Sequence, residues 1–197
     1  MWRWLKRLFR IDHSKPSRTY ESHGEETSSK PKFKPAWGFI IPHTAKAGGA
    51  ANPDKTWDEY QYGTAMAPQI GKPFADRNSG GVKGAAKNLK RKGCNASLEG
   101  HLNSFNGQVQ GAEILVLKGD DLSKYYAELF LAAYKAKYPG KNIRGVKEMK
   151  KGGRGAGNLI AAKKAGMEIA LLSEMFFIDS EWITPEEMAQ FWAANLK

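Results

Sequence analysis

Apolar positions in this chain fall into short runs set between longer stretches with helical spacing. "WGFIIPH" from Trp37, "NASLEGHL" from Asn95, "AEILVL" from Ala112 and "MEIALLSEMFF" from Met167 have the length and apolar density of buried strands. Between them lie helix patterns. "TWDEYQYGTAMAPQIG" carries Asp58 and Glu59 in its first turn, where the helix dipole favours acids. "DDLSKYYAELFLAAYKAKY" starts with acids and is followed by Pro139 and Gly140. "GNLIAAKKAG" stops at Gly166, and "TPEEMAQFWAANL" has Thr184 as N-cap and Pro185 at the first helical position. Strands alternating with helices predict an α/β fold: an open, twisted, mostly parallel sheet with helices on both faces. In such sheets functional groups gather at the carboxyl ends of the strands.

The N-terminus follows another pattern. At about 100° per residue, Trp2, Trp4, Leu5, Leu8, Phe9 and Ile11 fall on one side of a helix, and Arg3, Lys6, Arg7 and Arg10 on the other. That segregation suits a helix lying on an anionic membrane or lipopolysaccharide surface, or a short helix docked on the protein's own core. Residues 12–35 are polar and rich in Ser, Lys and Pro, which is a linker composition. The expected organisation is a basic amphipathic segment and linker over 1–35, then one catalytic-sized domain over 36–197.

Composition narrows the chemistry. Cys94 is the single cysteine, which excludes an intramolecular disulfide framework and a cysteine-rich zinc cluster, so a metal would be held by His, Asp or Glu. A formal charge of +11 favours a polyanionic partner without naming one. The first residues interrupt their apolar positions with charges, so neither a signal peptide nor a membrane span is expected.

Glu174 stands out because it interrupts an apolar run. A buried, unpaired carboxylate costs several kcal/mol, so it must be neutralised, solvated at the strand's end or held beside a cation. His43 follows the first strand, His101 comes late in the second and Glu174 late in the last, so the three converge if those strands are neighbours. Glu59, on the helix after the first strand, can face the same edge. Two histidines and a carboxylate form a catalytic zinc set with a position left for water, and a further glutamate is what a zinc hydrolase needs as general base.

The order of these residues resembles the zinc-dependent N-acetylmuramoyl-L-alanine amidases of bacterial cell-wall hydrolases and phage or prophage lysins. "GHLNS" from Gly100 matches the family's His-x-Asn step, "VQGAEILVL" its Gly-x-Glu strand, "IRGVK" from Ile143 its Arg-Gly-Val-Lys turn, and "LLSEMFFIDS" the segment carrying its catalytic glutamate. The match runs from about Trp37 to Leu196. It departs from the family at Pro42-His43-Thr44, where a Gly-His-Gly-Gly loop is usual, and at Glu99, where the family has serine.

The resemblance implies hydrolysis of the amide between muramic acid and L-alanine in peptidoglycan, with zinc held by His43, Glu59 and His101 and with Glu174 as proton carrier. Asp58 is the rival to Glu59, which is preferred because the family's acid stands at this spacing before the helix. Asn103 and Arg144 are candidate substrate contacts, though each could instead brace its own loop. Glu99 shares a strand face with His101 and is either a partner fixing the His101 tautomer or a solvated residue at the strand margin, with the margin reading preferred. "KKGGRGAG" from Lys150 lacks the strand and the Gly-Lys-Ser/Thr ending of a phosphate loop and is expected at the rim of the cleft.

A monomeric lysin released to the wall by a separate partner fits the family. The alternatives are another zinc peptidase or amidase acting on wall peptides, or a non-catalytic membrane or nucleic-acid binder. No nucleic-acid motif is present, so nucleic acid is not an expected partner.

Overall fold

Side chains alternate across a strand, and here the alternation separates two hydrophobic layers. In a computed structural model, which describes residues 33–197, the strands are β1 (Trp37–Ile40), β2 (Phe74–Ala75), β3 (Ala96–Asn103), β4 (Ala112–Leu117), β5 (Ile143–Met149) and β6 (Ile169–Phe177). The helices are α1 (Glu59–Met66), α2 (Gly81–Arg91), α3 (Asp121–Lys137), α4 (Ala156–Lys164) and α5 (Pro185–Asn195). One layer takes Phe39, Leu98, Ile114 and Leu171 from the sheet and packs them against Tyr62 and Met66 of α1, Phe130 and Tyr134 of α3, and Phe191 and Trp192 of α5. The other takes Ile40, Leu115, Ala170 and Leu172 and packs them against Val82 and Leu89 of α2 and Leu159 of α4. The α/β class and the two-sided covering are as expected. The amphipathic segment over 1–11 and most of the linker lie outside the described residues. The first described residue, Phe33, already packs on the core, and its carbonyl accepts from Tyr126 Oη at 3.0 Å.

The sheet order is β2-β1-β3-β6-β4-β5. β2, β1, β3 and β6 are parallel, while β4 runs antiparallel to β6 and parallel to β5. The edge formed by the carboxyl ends of the first four strands is therefore also the edge where β4 and β5 begin. β6 is the last strand in the chain, yet it lies in the middle of the sheet with all nine residues buried.

Three elements differ from expectation. "IRGVK" is the start of strand β5 and not a turn; β5 has no fully buried residue, with Arg144 and Glu148 exposed among half-buried neighbours, as suits its place at the sheet edge. β2 and α2 were not anticipated. α2 begins at a left-handed Gly80 with no side-chain cap, and its buried face is built mainly from Val82, Ala85, Ala86 and Leu89, so neither a stop-start signal nor a bulky stripe announces it.

Helix termini follow their local chemistry. The Asp58 side chain accepts from the Gln61 N–H at 2.7 Å, and Gln61 returns the contact to the Asp58 N–H at 2.9 Å, a reciprocal cap that starts α1. Thr184 caps α5 through the Glu187 N–H.

Candidate active site

Because β1, β3 and β6 are neighbours, their carboxyl ends bring the predicted residues together. His101 on β3 is the ladder partner of Glu174 on β6, and Glu174 is in turn the partner of Glu113 on β4. These three form a polar row across adjacent strands, on the α2/α4 side of the sheet by alternation with the core residues around them.

Glu59 lies above the row. Asp58 is occupied as the N-cap, which turns the next residue, Glu59, toward the site; it is 4% exposed. Each Glu59 oxygen meets one backbone N–H and one imidazole. Oε1 accepts from Leu102 N at 2.9 Å and lies 3.0 Å from His101 Nδ1, while Oε2 accepts from Ala50 N at 2.6 Å and lies 2.9 Å from His43 Nε2. The two rings stand edge to face with centroids 4.9 Å apart. One ligand atom from each of His43, Glu59 and His101 can be chosen so that all three lie within 4.8 Å of one another.

The loop carrying His43 is held in a conformation that side chains rarely adopt, with φ of 58° at His43, and such strain persists where surrounding contacts enforce it. Gly49 closes over the cluster at φ 88°; a Cβ there would come within 2.3 Å of Glu59 Oε2 and 2.4 Å of His43 Cδ2, so only glycine fits.

Electrostatics tie the cluster together. Burial works to raise the Glu59 carboxyl, but contacts with His101 and His43 outweigh it and bring it down to about 2. Burial likewise works to lower His101, and Glu59 and Glu99 overturn it and lift the ring to about 10. The electron pairs that hold these protons are those a divalent cation would take.

Glu99 corrects an expectation. It is not at a solvated margin but 3% exposed, covered by Arg77 and by Asn158 of α4. Its Oε1 accepts from Arg77 Nη1 at 2.9 Å and Asn158 Nδ2 at 3.3 Å, and lies 3.1 Å from His101 Nε2, off the axis of a well-formed hydrogen bond.

Glu174 is 8% exposed and its Oε2 has no hydrogen-bond partner among the described residues. Burial pushes its carboxyl up to about 7, with His101 and Arg154 pulling down and Glu59 and Glu113 adding to the rise. Of the three ways to hold a carboxylate in an apolar run, the structure combines two: partial neutralisation, and a cation, Arg154 Nη1, 4.0 Å away.

Arg154 was missed by residue in the sequence, although its "KKGGRGAG" stretch was placed at the rim. It pairs with Glu113, as does Arg144 through Nε at 3.0 Å, and Asn103 Nδ2 donates to the same carboxylate at 3.2 Å. Arg144 also lies over the Phe177 ring, 5.2 Å from its centroid.

No protein-family model and no curated protein sequence matches the chain. Solved structures do. The N-acetylmuramoyl-L-alanine amidase AmiC2 of Nostoc punctiforme is 15% identical with a TM-score of 0.62, over 81% of this chain and 93% of that one. The CwlD amidase from Clostridioides difficile, solved in complex with the GerS lipoprotein, is 16% identical with a TM-score of 0.64, over 83% and 96%. The catalytic domain of the CD27L endolysin, which targets Clostridia difficile, is 21% identical with a TM-score of 0.56, over 83% and 97%. The chain thus shares the fold of N-acetylmuramoyl-L-alanine amidases along most of their length.

Proposed function

We propose that this protein is a zinc-dependent N-acetylmuramoyl-L-alanine amidase, cleaving the amide between the muramic acid lactyl group and L-alanine of peptidoglycan. The observation that carries the reading is the His43–Glu59–His101 cluster, one ladder step from the unpartnered Glu174 oxygen, within this fold. The donor set fits zinc: two imidazoles and one carboxylate are a common set for a catalytic site, and each Glu59 oxygen is already aimed by a backbone N–H. Zinc bound by His43, Glu59 and His101 supplies Lewis acidity toward a carbonyl oxygen and makes water more acidic.

The remaining work falls to the chain's own side chains. Glu174 Oε2 takes the proton of the attacking water and delivers it to the amine nitrogen that leaves. Its carboxyl, near neutrality by burial, is drawn toward the carboxylate by positive charge in the neighbouring cluster, so both forms are within reach. Glu99 faces His101 Nε2 and favours the tautomer that leaves Nδ1 free toward Glu59; Arg77 and Asn158 hold Glu99 in place.

The resemblance to an endolysin catalytic domain supports a lytic enzyme of phage or prophage origin acting at the cell wall, with residues 1–11 attaching it to an anionic surface. Metal analysis of the purified protein, with mass spectrometry of its peptidoglycan digest, tests the proposal. About one zinc per chain and release of stem peptides with free L-alanine amino termini are expected. Cleavage within the peptide instead would favour another zinc peptidase of the wall, and absence of zinc and of products would refute the reading.

A further inference from the structure

We infer that Arg144 and Arg154 form a carboxylate-binding subsite, making the enzyme selective for stem peptides whose second residue carries a free α-carboxylate. This rests on the amidase reading above and specifies its substrate. Two guanidiniums share one buried carboxylate, Glu113, which is 0% exposed and also receives Asn103. Each guanidinium has five N–H donors, and each spends a single nitrogen on Glu113: Nε of Arg144 and Nη2 of Arg154. Glu113 thus has little left to accept, while the arginine side chains are 36% and 51% exposed at this edge of the sheet. Arg154 Nη1 lies 4.0 Å from Glu174 Oε1, beyond hydrogen-bond distance, so the remaining N–H groups of two guanidiniums seated on a buried anion are suited to a second carboxylate.

The sheet order says which part of the substrate meets it. Across the edge lie the histidine cluster, from the loop after β1 and from β3, then Glu174 on β6, then Glu113 on β4 and Arg144 on β5. The scissile carbonyl belongs at the cluster and the leaving nitrogen at Glu174, so the peptide continues toward the arginines. Glu113 is two strand spacings from His101, on the order of 10 Å. Two extended residues span about 7 Å, so the second residue's carboxylate, set back from a carbonyl carbon already past His101, reaches the arginine tips.

Two synthetic muramoyl tripeptides, identical except for a free α-carboxylate or an α-carboxamide on the second residue, provide the test with the full-length zinc protein. The wild type is expected to favour the carboxylate by about 10- to 100-fold in kcat/KM, the range of one or two charge-assisted hydrogen bonds. Arg154→Gln should collapse that ratio toward one, and Arg154→Lys should restore part of it, because a point charge remains without the fork. Both variants should fold, since Glu113 keeps Arg144 and Asn103. Equal kcat/KM for the two substrates in the wild type, or a ratio indifferent to Arg154→Gln, overturns the subsite and leaves the amidase reading standing. Cleavage of neither substrate by the wild type overturns that reading, and the subsite with it.

Discussion

A glutamate in the middle of an apolar strand was the strongest single signal in the chain, and its surroundings explain it. Glu174 has one oxygen near Arg154 and one with no partner, which is the state of a group that exchanges protons. Glu174→Gln preserves the shape of the side chain and removes only its ability to take a proton. The variant is therefore expected to fold and bind zinc as the wild type does while losing about 100-fold or more in kcat, the lower range for a general base. His101→Ala should behave differently, losing zinc as measured by metal content after dialysis, because two donors remain of three. Normal zinc in this variant would show that His101 is not a ligand. The convergence of His43, Glu59, His101 and Glu174 was legible because polar residues toward the carboxyl ends of apolar runs meet whenever the strands are adjacent, and Glu59 opens the helix that follows the first of those runs. Glu99 was misread for a physical reason: a glutamate in strand alternation normally faces solvent, and here Arg77, next to the unanticipated β2, and Asn158 of α4 cover it. Arg154 was hidden by its glycine-rich surroundings, which carry no periodicity to say where a side chain points.

At the scale of elements, legibility tracked packing bulk and capping. α3 and α5 have acids or a Thr cap at their starts and large aromatics on their buried faces, and both were found close to their true limits. α2 buries no aromatic side chain, only Val82, Ala85, Ala86 and Leu89, so its contribution depends more on close approach than on side-chain size. Close approach also governs how β1 meets β3. Gly100 lies between Glu99 and His101, and a Cβ there would come within 2.3 Å of Cζ of the fully buried Phe39. Gly100→Ala should thus cost about 1–3 kcal/mol by overpacking, seen as a melting temperature several degrees lower. Because relief of the clash displaces the strand that carries His101, zinc affinity in a competitive chelator titration should fall as well. A variant with wild-type stability and wild-type zinc affinity would show that Phe39 can yield without moving β3.

For the molecule as a whole, the Glu113 clasp joins β4, β5 and the α4 entry loop, so its protonation bears on global stability. Burial works to raise the Glu113 carboxyl, yet Arg154 and Arg144 hold it below its ordinary 4.5. A carboxyl lower in the folded than in the unfolded state contributes fully above the unfolded value, and that contribution disappears as pH falls through the folded one. Urea midpoints of the wild type should therefore fall as pH drops below the ordinary 4.5, with a shallower fall in Glu113→Gln. An identical acid slope in both would remove Glu113 from the account.

The central position of the last strand also sets the order in which the sheet can close. β3 and β4 follow one another closely in sequence, but β6, some fifty residues later in the chain, is what fills the space between them. Until β6 is made, two strand edges face each other unpaired, and Glu174 does not yet exist beside His101. A chain ending at Gly166 is thus expected to be insoluble or molten, with no protected amides in β3 and β4 by hydrogen exchange, because open apolar edges recruit other chains. During synthesis the same geometry means that His101 gains Glu174 as its ladder neighbour only once β6 has emerged.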